Sequence, residues 1–315
     1  YGPRSSLYAA LALGLCTGWW VYTQDAFYEP LQGVCLLAAF AALLRQARTG
    51  QGRSGLACGA WLGMAALTKP INLLIAPALE VTRRLEVKAH GLGQQLRGGA
   101  RTWGLIVVGL LPFILAQLWA DWSQFGTPVV NPLAKHPKYA LAVQEASIAE
   151  GTVALAVGAE QGAIWFLPAS VVSLLWLPWL ARRSRGVALG LALALTVGFL
   201  AAAQVSTVGL RGPCWGPRYL VPLLPLGSLL FLPWFERALM PRHRLFRAAT
   251  LAVCAGSLAV QLLGTAVHYQ RFYSEVPLAE RAGVSPLARQ PGYVLGALRT
   301  MVSGEAWRMR GSGEG

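Results

Sequence analysis

The feature that most limits what this chain can fold into is the spacing of its charges. Long apolar stretches carry almost none, and the basic residues gather in the short segments between them. Only 13% of the residues are charged while 55% are hydrophobic, against about 25% charged in a typical soluble domain. A stretch of roughly 18–20 apolar residues is what a helix needs to cross the hydrocarbon core of a bilayer. Apolar segments at 6–22, 28–44, 55–68, 70–82, 103–120, 164–181, 187–204, 219–235 and 248–267 approach or reach that length. The expected fold is therefore all-α, a polytopic transmembrane helical bundle of about eight to nine membrane segments spanning 1–267, with a tail at 268–315.

Charge sets the expected orientation. Of the 27 Lys and Arg residues, 15 fall in four linkers: Arg45, Arg48 and Arg53; Arg83, Arg84, Lys88, Arg97 and Arg101; Arg182, Arg183 and Arg185; and Arg237, Arg242, Arg244 and Arg247. The intervening linkers hold only Lys69, Lys135, Lys138, Arg211 and Arg218. The positive-inside rule makes the first set cytoplasmic, and a bacterial-type cytoplasmic (inner) membrane is the expected location. The net charge of +14 is thus a membrane signature; no basic face with interleaved aromatics points to nucleic acid. Both ends of 55–82 are basic, so this segment reads as a hairpin. Each arm would reach only about 20 Å, which leaves the tip Thr68-Lys69-Pro70 inside the membrane's outer half. The opposite face then receives the loop 23–28, this tip, the outer loop 121–163 (with Asn131 and His136), the loop 205–218 and the tail, whose prolines and Gly-rich end suggest partial disorder.

Chemistry-bearing residues collect on that second face. In Thr23-Gln24-Asp25-Ala26-Phe27-Tyr28-Glu29-Pro30 two carboxylates open a span. Acids suit a helix start, and they also suit a general base, a metal ligand or a partner for sugar hydroxyls. Lys69 is costly at the tip of an apolar hairpin, and Pro70 starts a helix behind it. In Arg211-Gly212-Pro213-Cys214-Trp215-Gly216-Pro217-Arg218-Tyr219-Leu220 a Gly-Pro turn sets Arg218 at the start of a span. A cation beside free helix N–H groups binds anions, and the arginine fork matches phosphate oxygens. Trp215, Tyr219 and Tyr28 can line such a site or serve as interfacial aromatics. The five cysteines and four histidines lack the spacing of a zinc site or a disulfide framework.

Three segments carry a resemblance. LACGAWLGMAALTKPINLLIAPAL, WGPRYLVPLLPL and VYTQDAFYEPLQ are similar, in order, spacing and shared side, to the membrane-embedded GT-C glycosyltransferases. The likeness is in particular to bacterial members such as protein mannosyltransferases and lipid A aminoarabinose transferases (glycosyltransferase family 39). The resemblance covers most of 1–265. It implies an enzyme that transfers a sugar from a polyprenyl-phosphate donor to a hydroxyl of an acceptor glycan, lipid or protein on the non-cytoplasmic face. It assigns Asp25 as the acidic residue of the second outer loop and Lys69 and Arg218, with Arg211 nearby, to the donor phosphate. Glu29 joins Asp25 as a candidate catalytic carboxylate by proximity. No cofactor is implied with certainty, and two carboxylates leave room for a divalent metal. The family's principal catalytic aspartate lies in a first outer loop that has no match here. The resemblance therefore implies that Tyr1 falls after that loop, and that the base is either upstream or supplied by Asp25. A transporter or flippase of a lipid-linked or anionic solute, and a non-catalytic membrane subunit, are the alternatives; the transporter would show inverted repeats, and none is evident.

Overall fold

A computed structural model describes residues 1–24, 27–87, 92–126, 147–206, 214–266, 275–276 and 285–302. Among these residues every regular element is helical. In chain order the principal helices are α1 (Pro3–Leu15), α2 (Glu29–Thr49), α3 (Gly52–Thr68), α4 (Ala76–Glu86), α5 (Leu92–Phe125), α6 (Ile148–Val157) and α7 (Arg185–Ser206). They are followed by the composite span α8 (Arg218–Ala238), then α9 (Arg244–Ala266) and α10 (Pro286–Val302). Among the described residues five helices are long and apolar enough to cross a membrane: α2, α7, α8, α9 and the part of α5 from Gly98 to Gln124. The apolar stretches at 6–22, 55–68, 70–82 and 164–181 are also helical, but shorter or broken. The breaks have local causes. α1 stops before Gly18, and 163–183 is divided into short turns where Pro168 and Pro178 remove backbone donors. α6 and α10 fall within the expected outer loop and tail.

The bundle has two polar ends. At one, Arg48 pairs with Glu86 at 3.2 Å and Arg183 with Glu236 at 2.8 Å, and Ser184 donates to Glu86. These contacts gather the ends of α2, α4 and α8 beside the start of α7. Arg247 closes the same end, its guanidinium donating to the carbonyls of Ala238, Leu239 and Met240, which a helix C-terminus leaves without partners. At the other end lie the starts of α2 and α8 and the tip between α3 and α4.

Between the ends, close packing of small residues replaces the hydrophobic drive that lipid does not provide. Gly55, Gly59 and Gly63 repeat every four residues along α3 and so share one face. A Cβ on Gly59 would run into the carbonyl of Ile106, and one on Gly109 into that of Leu56. The stripe lets the backbones of α3 and α5 touch. Gly190 does the same for α7 against Thr82 on α4. The central core is built from Leu36, Phe40, Leu43, Leu62, Leu79, Leu191 and Leu226, contributed by five helices. α5 contributes little to it and exposes Val108, Leu115 and Trp119, the last at 74%. Such a face suits lipid better than water.

Candidate functional site

The site forms where three distant segments meet. α2 begins at Glu29, with Pro30 in its first turn, where proline's missing N–H costs nothing. The Glu29 side chain is fully buried at 0% exposure. Its Oε1 accepts from Lys69 Nζ at 3.2 Å and from Arg218 Nε at 2.7 Å. Among the described residues Glu29 Oε2 has no hydrogen-bond partner. A carboxylate this deeply buried needs paired charge, and here one oxygen binds two cations.

Each cation is held by its own local device. α3 ends at Thr68, whose hydroxyl donates to Ala65 O at 2.7 Å. Lys69 follows in extended backbone, and Pro70 opens a 3₁₀ turn, Pro70–Ile75. Asn72 Nδ2 donates to the same Ala65 carbonyl at 2.8 Å. The break is therefore satisfied by side chains, which lipid would require. Arg218 follows a turn in which Gly216 has φ +65°, a conformation that glycine adopts without Cβ strain. A Cβ there would also meet the ring of Phe166, 2.5 Å from its Cγ. Arg218 N–H donates to Gly216 O at 2.9 Å. Tyr22 anchors the turn from outside, its hydroxyl donating to Trp215 O at 2.9 Å.

Aromatic rings surround the cations. Lys69 Nζ lies 4.7 Å from the Tyr28 ring centroid and 5.1 Å from that of Tyr219. The Arg218 guanidinium lies 4.2 Å from the Phe27 ring and 6.0 Å from the Tyr28 ring. The faces of these rings are electronegative and add to the attraction. Lys69 keeps 27% of its side chain exposed and Arg218 19%, so both remain reachable. Two cations and one carboxylate leave one net positive charge.

The structure thus brings together Glu29, Lys69, Arg218, Tyr28 and Tyr219. Asp25 and Arg211 lie outside the described residues, as do Asn131 and His136. Burial bears on two of the expected site residues. Trp215 is only 1% exposed, and its ring packs edge-on against Phe166 at 5.2 Å, so it supports the turn instead of lining an opening. Glu29 is enclosed and paired, so it serves as counterion to Lys69 and Arg218 and is poorly placed to take a proton from an incoming hydroxyl. Cys214, in the same turn, has its thiol pushed up to about 11 by burial, which keeps it protonated and unreactive at neutral pH.

Sequence reasoning missed Phe27, Tyr22 and Gln32. Gln32 lies one turn beyond Glu29 on the same face of α2, is 1% exposed, and has neither side-chain polar atom partnered among the described residues. Its i+3 spacing from Glu29 in an otherwise apolar span was the available signal. Among the described residues, no three His, Cys, Asp or Glu side chains come together as metal ligands would.

Beyond α8 lies an apolar cavity of about 660 Å³. Leu220, Leu223 and Leu224, which follow Arg218 directly, form one wall, and Phe199 and Leu200 of α7 form another. Leu174 and Leu200, both on its lining, are 50% and 43% exposed, so the cavity is open to the outside of the bundle. No family model, curated protein or solved structure matches the chain.

Proposed function

We propose that this chain is a membrane glycosyltransferase of GT-C-like architecture, with eight to nine membrane segments, that moves a sugar from a polyprenyl-phosphate donor to an acceptor hydroxyl on the non-cytoplasmic face. The observation that carries the reading is the convergence of Lys69 and Arg218 on one point from segments far apart in the chain. Two partly exposed cations with donors to spare suit a phosphate. The apolar cavity walled by the residues after Arg218 supports a ligand that joins phosphate to a long hydrocarbon. The basic end formed by Arg48, Arg183 and Arg247 supports a cytoplasmic assignment for that end, which puts the site on the opposite side.

In this reading the acceptor oxygen attacks the anomeric carbon as the bond to the phosphate oxygen breaks, and the acceptor proton passes to a carboxylate. Asp25, four residues before Glu29, is the carboxylate we assign to that step. Lys69 and Arg218 stabilise the negative charge that grows on the departing lipid phosphate. Tyr28 and Tyr219 flank the sugar. A divalent metal at Asp25 would add to the same stabilisation.

The test is transfer of labelled sugar from a polyprenyl-phosphate donor by the purified chain in liposomes, counted in water-soluble and acceptor-linked product. Wild type should turn over and Arg218→Ala should not. Undiminished transfer by Arg218→Ala would remove the phosphate assignment. The broken spans at 163–183 and 218–230 also resemble the interrupted helices of transporters. Movement of the unmodified lipid across the bilayer, without transfer, would favour that second reading.

A further inference from the structure

At the end of the bundle opposite the site, two arginines converge on one indole. The Arg182 guanidinium lies 4.3 Å from the Trp179 ring and that of Arg237 lies 5.0 Å from it. Arg182 is one turn after Trp179, while Arg237 comes from the last turn of α8, so the ring joins two segments. Trp179 is itself held by Trp176, at 5.5 Å, and Trp176 packs on Phe246 of α9.

This pair has no counterion, as Arg185 and Arg244 nearby also have none among the described residues; what sets it apart is the indole that both guanidiniums share. Arg48, Arg83, Arg84 and Arg183 each pair with a carboxylate. Among the described residues neither Arg182 nor Arg237 does. The nearest acid in sequence, Glu236, is already bound to Arg183 at 2.8 Å, so its charge is cancelled. Two fixed guanidiniums with unused N–H donors then face outward beside a half-exposed indole.

We propose that Arg182 and Arg237, held on Trp179, bind the phosphate headgroup of an anionic phospholipid at the basic end of the bundle. Three observations favour a lipid over a soluble anion. The pair sits where α8 ends and α7 and α9 begin, which is the level of a bilayer surface for three apolar spans. Tryptophan prefers that interfacial level, and Trp179 is 37% exposed there. An isolated anion at an exposed site is screened over about 8 Å at physiological ionic strength, whereas a headgroup is held in place by its own acyl chains.

The experiment is native mass spectrometry of the full chain titrated with dioleoylphosphatidylglycerol or dioleoylphosphatidylcholine. Wild type should retain the glycerol lipid at lower concentration than the choline lipid; equal retention overturns the proposal without any variant. Each basic residue at an anionic surface contributes about a fivefold factor. Arg182→Gln/Arg237→Gln should weaken retention by clearly more than the roughly 25-fold that two diffuse surface charges account for, because both donors of the clamp are lost. Arg185→Gln/Arg244→Gln, an equal change in charge at the same end, should cost much less. An equal loss from the two double variants would mean a diffuse basic surface and overturn the clamp. Inorganic phosphate at millimolar concentration should not displace the lipid; displacement would assign the site to a soluble anion.

Discussion

Glu29→Gln separates the roles of charge and shape at the site. The substitution keeps the side chain's size but removes the carboxylate that neutralises Lys69 and Arg218. Both cations touch one oxygen, at 3.2 and 2.7 Å, so their nitrogens lie at most about 6 Å apart, where unit charges repel by about 3 kcal/mol at an effective dielectric of 20. Loss of one partner from a buried ion pair costs about 3–5 kcal/mol. The partial exposure of both cations lets water recover some of this, so about 2–3 kcal/mol of destabilisation is expected. That corresponds to a fall in Tm of roughly 5 °C. An anionic ligand should respond in the opposite sense, because the site's net charge rises from one to two. An added unit of attraction of about 1–2 kcal/mol predicts roughly tenfold tighter binding of dodecyl phosphate, with a larger gain for dodecyl diphosphate. Both quantities can be read in detergent, by thermal unfolding and by equilibrium binding well below the variant's Tm. Weaker binding by a folded Glu29→Gln variant would refute the counterion argument and mean that the carboxylate contacts the ligand directly.

Other perturbations test the supports of the site. Gly59→Leu should separate α3 from α5, because its side chain meets the Ile106 carbonyl; the expected result is loss of the folded species in size-exclusion chromatography, beyond the about 1–3 kcal/mol of ordinary overpacking. Gly216→Ala puts a Cβ against Phe166 at positive φ and should lower Tm while weakening dodecyl phosphate binding several-fold, although Arg218 is unchanged. Tyr22→Phe removes the hydroxyl that holds the Trp215 carbonyl and should cost about 1 kcal/mol, seen as a small Tm decrease.

Much of this arrangement was legible in the sequence, because apolar run length and the placement of arginines report directly on helices and their ends. The start of α2 at Glu29, the break at Lys69-Pro70 and the turn before Arg218 all follow from proline and glycine chemistry that acts over a few residues. What periodicity does not encode is which helix meets which. The stripe Gly55, Gly59 and Gly63 was present in the sequence, but its partner on α5 depends on tertiary packing. For the same reason Glu29 read as an exposed acid at a helix start, a role that helix dipoles favour; only the approach of Lys69 and Arg218, 40 and 189 residues away, encloses it. Trp215 read as a site-lining or interfacial aromatic, and the folding of its turn over Phe166 buries it.

The claim on which the account rests is that Lys69 and Arg218 hold a lipid-linked phosphate. Its most direct test is the affinity of the purified chain for a polyprenyl phosphate compared with the polyprenol of the same length. The account predicts that the phosphate form binds at least tenfold more tightly, and that Lys69→Gln/Arg218→Gln abolishes the difference while leaving alcohol binding in place. Equal affinity for phosphate and alcohol in the wild-type chain would contradict it.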